Sequence, residues 1–142
     1  MDTNIELLNY IYQNAEMGKD STEHLIEVCE DEYFKSILEK QFNEYKKVFD
    51  LSAQKLISAD KDPKELSALS KLSTDIMLNL KTLRDKSPSH IAEMMIQGST
   101  MGIIDITKNL HKYNDASQAV LDLGQHLLKF QQDSIEELKK NF

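Results

Sequence analysis

The chain of 142 residues has no tryptophan, one cysteine, two prolines and four glycines. A single thiol, Cys29, can close no internal disulfide, so no cross-linked framework supports the fold and a reducing compartment is compatible. So few prolines and glycines leave few places to turn, which disfavours many short strands and favours long helices. A formal charge of −7 lacks the basic face that a phosphate backbone requires, which argues against nucleic acid as a partner. The excess of acids reads as a solubility device. No apolar run approaches the roughly 20 residues that span a bilayer. The opening Met1-Asp2-Thr3-Asn4-Ile5-Glu6 has no basic segment followed by an apolar one, so it does not read as a secretory signal. A cytoplasmic protein without a membrane or nucleic-acid partner is the expectation.

What is present is 40% hydrophobic and 29% charged residues, the balance of one soluble domain spanning 1–142. Apolar spacing is helical almost throughout. The first segment carries Ile5, Leu8, Tyr12, Ala15, Gly18, Thr22, Leu25 and Cys29 at steps of three and four. The second carries Phe34, Leu38, Gln41, Tyr45, Val48, Ser52 and Leu56, flanked by Ile37, Phe42 and Phe49. A third runs through Leu66, Leu69, Leu72, Ile76, Leu80 and Leu83. The fourth shows Ile91, Met95, Gly98, Gly102, Ile106 and Tyr113, and the fifth Val120, Leu123, Leu127, Phe130, Ser134 and Leu138.

Start signals agree with this division. Thr3 with Glu6 has the capping-box pattern, in which each side chain satisfies an orphan donor of the first turn. Asp115 with Gln118 offers a similar arrangement, and Asp31 can cap the second helix. Asp62-Pro63 and Ser87-Pro88 each place a cap before a proline at the first helical position. The expected helices are 4–29, 32–58, 64–84, 88–113 and 116–140, with joints short enough for helical hairpins.

Two stretches repeat. Gln13-x-x-x-Met17-Gly18 recurs as Gln97-x-x-x-Met101-Gly102, 84 positions on (97 − 13). Each stands in a helix that a tight turn joins to a long amphipathic partner, and Leu38, Phe42 and Tyr45 correspond loosely with Leu123, Leu127 and Phe130. The reading is an internal duplication of one helical hairpin. A helix over 64–84 would be about 31 Å long at about 1.5 Å per residue. That length returns the chain along the bundle, so the fourth helix would start at the end opposite to the first.

The stretches "IYQNAEMGKDSTEHLIEVCEDEYFKSILEKQFNEYKKVF", "DIMLNLKTLRDKSPSHIAEMMIQGSTMG" and "LDLGQHLLKFQQDSIEELKK" cover most of the chain. In element order and apolar spacing it resembles the ferritin-like superfamily, in particular its small bacterial domains of unassigned function. The resemblance implies an all-α, ferritin-like four-helix bundle of two antiparallel hairpins joined by a helical crossover, five helices in all. It also implies a place for two metal ions in the bundle centre. There one helix of each hairpin contributes a Glu, and the other a Glu-x-x-His pair, because carboxylates bridge two metals while the imidazole three residues on faces the same centre.

The ligand pattern is missing. The second helix has no histidine, and Glu44 is followed three residues on by Lys47. The fifth has His126, but Leu123 stands where the Glu belongs, and the middle of the fourth reads Gly98-Ser99-Thr100. Glu16 is a central acid of the first helix, yet its neighbours Ala15 and Gly18 fit the core stripe better. A substitute site could draw on Asp122 and His126, four apart on one face, with Asp133 beyond. Acids and a histidine on a solvated helix face are the commoner meaning, and His24, His90 and His111 read as surface or boundary residues.

Other chemistry finds little support. Met94, Met95 and Met101 cluster, with Met17 and Met77 elsewhere; thioethers bind cuprous ion, but at helical spacing they more often fill a core or an adaptable interface. Glu27, Glu30, Asp31 and Glu32 around Cys29 are the opposite of the electropositive setting a reactive thiol needs, so Cys29 reads as a buried apolar residue at a helix end. No Ser-His-Asp set, phosphate loop or dinucleotide fingerprint is present. Gly98 and Gly102 each cost their helix about 1 kcal/mol relative to Ala, and close approach of a neighbouring helix is the simplest reason for them. A groove admitting a small apolar ligand is another.

The expected function is therefore non-catalytic, with no catalytic, cofactor or metal residue assigned. The chain would be a ferritin-like bundle lacking the two-metal site, acting as a homo-oligomer or on a protein partner. The alternative is a metalloprotein, an oxidase or storage protein, with altered ligands at Glu16, Glu44, Asp122 and His126. A third reading is a helical scaffold unrelated to ferritins that binds another helix through a Met-rich face.

Overall fold

The computed structural model of the protein describes residues 2–63 and 78–142. Four long helices carry these residues, α1 Thr3–Val28, α2 Glu32–Ser58, α3 Pro88–Lys112 and α4 Gln118–Lys139, and no strand occurs among them. Residues 78–81 are also helical. The expected first, second, fourth and fifth helices are thus present, the second with both ends as expected and the others with ends moved by at most two residues. Most of the expected helix 64–84, with Leu66, Leu69, Leu72, Ile76 and Met77, lies outside the described residues.

The caps show which start signals acted. Asp31 accepts from the Phe34 amide at 2.7 Å and Ser87 from the His90 amide at 3.3 Å, as their positions predict. The capping box at Thr3 does not form. Asp2 is the N-cap instead and accepts from the Asn4 amide, because Thr3 already lies inside the first turn and its hydroxyl reaches Asp115 at 3.5 Å. Asp115 likewise does not cap α4. Ser117 is the N-cap, makes no side-chain capping bond, and gives its own amide to Asn4 Oδ1 at 2.6 Å. Thr3 and Asn4 therefore tie the start of α4 to the start of α1.

These ties give the helix directions. Contacts are most extensive within the hairpins α1–α2 and α3–α4. α1 and α4 run parallel, since Asn4 meets Ser117 at one end and Asn14 meets Gln131 further along. α1 and α3 run antiparallel, since Tyr10 stacks on Tyr113 with ring centroids 6.0 Å apart while Asn14 binds Gly102. α2 and α3 consequently point the same way, and residues 59–87 connect opposite ends of the bundle.

The core has two apolar parts. One holds Leu7, Leu8, Ile11, Val48, Leu56, Ile106 and Leu127 among others. The second gathers Leu25, Cys29, Phe34, Leu38, Ile91, Met95 and Leu138. Each stripe buries because its residues recur every three or four positions and so share one helix face. All seven stripe residues of α2, Phe34 to Leu56, are buried, and so are Ile5, Leu8, Tyr12, Ala15, Thr22, Leu25 and Cys29 on the first segment. Cys29 donates its thiol to the Asp31 carbonyl at 3.4 Å. Between the two apolar parts lie buried polar side chains: Asn14, Gln41, Ser99, Gln131 and Ser134.

Candidate functional site: a neutral polar centre under a groove

The polar layer follows from small residues set opposite large amides. Gly18 has no Cβ, and one placed there would strike the ring of Tyr45; a Cβ on Gly102 would strike the amide of Gln131. Each glycine of the repeated Met-Gly pair thus opens space for a buried side chain from its own hairpin partner. Those two side chains meet: Gln131 Nε2 donates to Tyr45 Oη at 3.3 Å and to Asn14 Oδ1 at 2.9 Å. Asn14 Nδ2 in turn donates to the Gly102 carbonyl at 3.0 Å. All four helices contribute; the groups joined at the centre are two amides, a phenol and a backbone carbonyl, and the Asp105 carboxyl meets them at the edge through Asn14.

Tyr45 is held on its other side by Phe130, edge to face at 4.8 Å between centroids. Burial pushes its phenol pKa up, opposed by Gln131 and the neighbouring Ser99 hydroxyl. Ser99 lies near the phenol but outside hydrogen-bonding geometry, and its Oγ has no partner among the described residues. Gln131 Oε1 and both amide atoms of Gln41 are also unpartnered there. An unsatisfied buried polar group costs about 1–3 kcal/mol, so these atoms require an explanation.

Above Tyr45, Ser99 and Gln131 a groove of about 350 Å³ opens between α1 and α3. Met17 and Leu25 line one wall, Met94, Met95 and Met101 the other, and Leu80 one end. Gly98 lies in the wall with nothing within 4 Å of a Cβ added there. Close helix approach thus accounts for Gly102 and not for Gly98, which faces the open groove. Among the described residues no Lys, Arg or His lines it, and the ionisable ones that do are Tyr10, Tyr45 and Asp105. At the rim, Asp105 has its carboxyl pKa raised by desolvation, partly opposed by hydrogen bonds from Asn14 and Asn109.

The altered metal set does not assemble as one cluster. Glu44 and His126 do meet across α2 and α4, with His126 half exposed, and Lys47 stands 3.6 Å from the same Glu44. Asp122 instead accepts from Gln118 at 2.7 Å on its own helix. Glu16 pairs with Tyr12, whose phenol pKa is raised by desolvation and by Glu16. Asp133 is bound to Lys129. Among the described residues no group of three or more His, Cys, Asp and Glu could hold a metal.

Of the other histidines, His90 lies 3.8 Å from Glu93, and His24 reaches inward to the Leu80 carbonyl at 3.1 Å, a partner its sequence position does not suggest. No protein-family model, curated protein or solved structure matches this chain. Among the described residues no helix is long and apolar enough to cross a membrane.

Periodicity takes in Tyr45 and the buried polar Gln41, Ser52 and Ser134, which fall in register with apolar neighbours, but passes over Asn14, Ser99 and Gln131, each of which stands one position from a stripe residue, Ala15, Gly98 and Phe130. The one signal that points to them is the pair of Met-Gly steps. A helical glycine opposite an amphipathic partner asks what large side chain it admits.

Proposed function

We propose that this chain is a ferritin-like bundle without the two-metal site, a non-catalytic protein that acts by self-association or on a protein partner. The observation that carries this reading is the chemistry of the bundle centre. Asn14, Tyr45 and Gln131 join in one network of neutral side chains, with Ser99 beside it, whereas the resemblance calls for carboxylates and imidazoles at a bundle centre. Amides and hydroxyls are weak ligands for divalent iron or manganese beside carboxylate and imidazole. The helix directions, with α2 and α3 parallel and a connection between opposite ends, support the ferritin-like arrangement.

Bound iron, manganese, zinc and copper measured in untagged protein, before and after aerobic ferrous loading, test this. Metal at background and no oxygen uptake are expected. Near-stoichiometric metal or turnover of oxygen would overturn it. Light scattering of the same sample reads the self-associating arm directly, as a mass above 16.3 kDa.

The contact between Glu44 and His126 is what supports the metalloprotein alternative. That reading requires His126→Ala to lose metal and activity together, and indifference to the substitution ends it.

A further inference from the structure

A carboxylate stands at the edge of the neutral centre. Asp105 of α3 accepts hydrogen bonds from Asn14 of α1 and from Asn109 one turn along its own helix, the latter at 3.3 Å to Oδ1. Partial desolvation disfavours its ionised form, and Lys108 on the same helix favours it. To the same groove α1 brings the Tyr10 phenol, α2 the Tyr45 phenol and α4 the Gln131 amide. Asp105 itself keeps contact with solvent, so a proton reaches it from the bulk.

An ionised carboxylate can only accept, and that fixes a direction. Asn14 must turn Nδ2 to Asp105, and Nδ2 also meets the Gly102 carbonyl at 3.0 Å. Oδ1 is then the atom left for Gln131, which must answer with Nε2, at 2.9 Å. The same Nε2 donates to Tyr45 Oη at 3.3 Å. The direction of each bond, from the rim to the phenol, thus follows from one charge. The same arrangement leaves Gln131 Oε1 without a donor among the described residues, a cost that persists only while something holds Asn14 in place. Two acceptors could hold it. Gly102 lies inside α3, where its carbonyl already serves the amide four residues on. A hydrogen bond to an ionised acceptor is about twice as strong as one between neutral groups. The carboxylate is therefore the stronger anchor.

We infer that the ionised Asp105 carboxylate sets the direction of the buried hydrogen bonds, and that its protonation lets the Asn14 and Gln131 amides turn over. A protonated Asp105 offers an O–H to Asn14 Oδ1. Asn14 Nδ2 then faces Gln131, whose Oε1 comes round to accept from it and from the Tyr45 hydroxyl. A proton taken up at the rim is in this way felt at a phenol buried among four helices, and Asp105 is a positioning residue for the whole centre. This role for Asp105 does not depend on kinship with ferritins or on the absence of metal.

The test follows the side-chain amide signals of Asn14 and Gln131 and the ring signal of Tyr45 by NMR in the isotope-labelled full chain. The range is about pH 7.5 to about 3.5, within which the backbone amide dispersion must stay that of the folded protein. All three signals are expected to move together with one midpoint, above the ordinary carboxyl value of 3.8. Asp105→Asn keeps the shape of the side chain and supplies a donor at every pH. In that variant the Gln131 and Tyr45 signals should stand at neutral pH where the parent's stand in acid, and should not move over the range. Asn14→Ala removes the link and leaves Asp105 in place; the Asp105 titration is expected to persist and the response of Gln131 and Tyr45 to be lost. Gln131 and Tyr45 signals that stay still while Asp105 titrates overturn the inference, since the Gly102 carbonyl alone then holds Asn14. A titration of those signals unchanged in Asp105→Asn overturns it by placing the proton elsewhere. One that survives in a folded Asn14→Ala protein does so by showing that the charge acts through space. The first two outcomes need only the parent and the near-isosteric variant, so the test stands even where Asn14→Ala does not fold.

Discussion

Gly18 and Gly98 are helical glycines beside one groove, and a methyl group would be received differently at each. At Gly18 it would strike the Tyr45 ring, which Phe130 pins from the far side. Overpacking of this kind costs about 1–3 kcal/mol, more than the gain of up to about 1 kcal/mol in helix propensity. At Gly98 it meets nothing within 4 Å. Gly18→Ala is therefore expected to lower the urea midpoint and Gly98→Ala to raise it, by up to about 1 kcal/mol in unfolding free energy. Asp105 gives a second residue-scale expectation. Its carboxyl pKa is raised on folding, chiefly by desolvation, so between the unfolded value near 3.8 and the raised value the folded state holds the extra proton. Stability then falls as pH rises through that window, and the penalty persists at neutral pH. Asp105→Asn carries no such charge. Its melting temperature should exceed that of the parent at pH 7, with the gap closing as pH falls toward 4; a gap that widens on acidification contradicts the assignment.

Among the elements, the helix starts separate side chains that cap from those that only match a pattern. Asp31 holds the Phe34 amide and should cost about 1 kcal/mol when replaced by Ala. Thr3 fits the pattern equally well but caps nothing; its hydroxyl makes one long bond to Asp115. Thr3→Ala is expected to change stability by less than about 0.5 kcal/mol, as ordinary surface substitutions do, and parallel denaturant curves of the two variants decide the matter. Both signals were legible in sequence, as were four of the expected helices within two residues at each end. The choice between Thr3 and Asp2 was not, because it depends on α4 arriving beside Thr3 and Asn4. The start of α4 makes the same point: its first amides look to Asn4 of another helix, so no local pattern at Asp115 could reveal how it is capped.

At the scale of the whole molecule, a layer of neutral polar side chains divides two apolar regions. Leu127 belongs to one and Leu138 to the other, both wholly buried. Eleven residues separate them (138 − 127), about 16 Å along α4. Each Leu→Ala change should cost about 2–5 kcal/mol. With no shared cavity, the double variant should show the sum within about 0.5 kcal/mol. A coupling above 1 kcal/mol by denaturant titration would mean that the polar layer transmits packing strain between the two regions.

Periodicity, charge and the shortage of turn residues were enough to determine an all-helical chain, the helical faces that bury, and the absence of the Glu-x-x-His pattern. These are local properties, carried by residues a few positions apart. The repeated Met-Gly steps were also legible, but their purpose was not. Only the tertiary structure decided that Gly18 and Gly102 admit Tyr45 and Gln131, that those side chains join Asn14 in one network, and that Gly98 faces open space. Residues 45 and 131 meet through the packing of two hairpins, 86 positions apart in sequence. An amide such as Gln131 that lies beside the apolar stripe carries no periodic mark; what distinguishes it from a surface amide is the set of partners that folding brings to it.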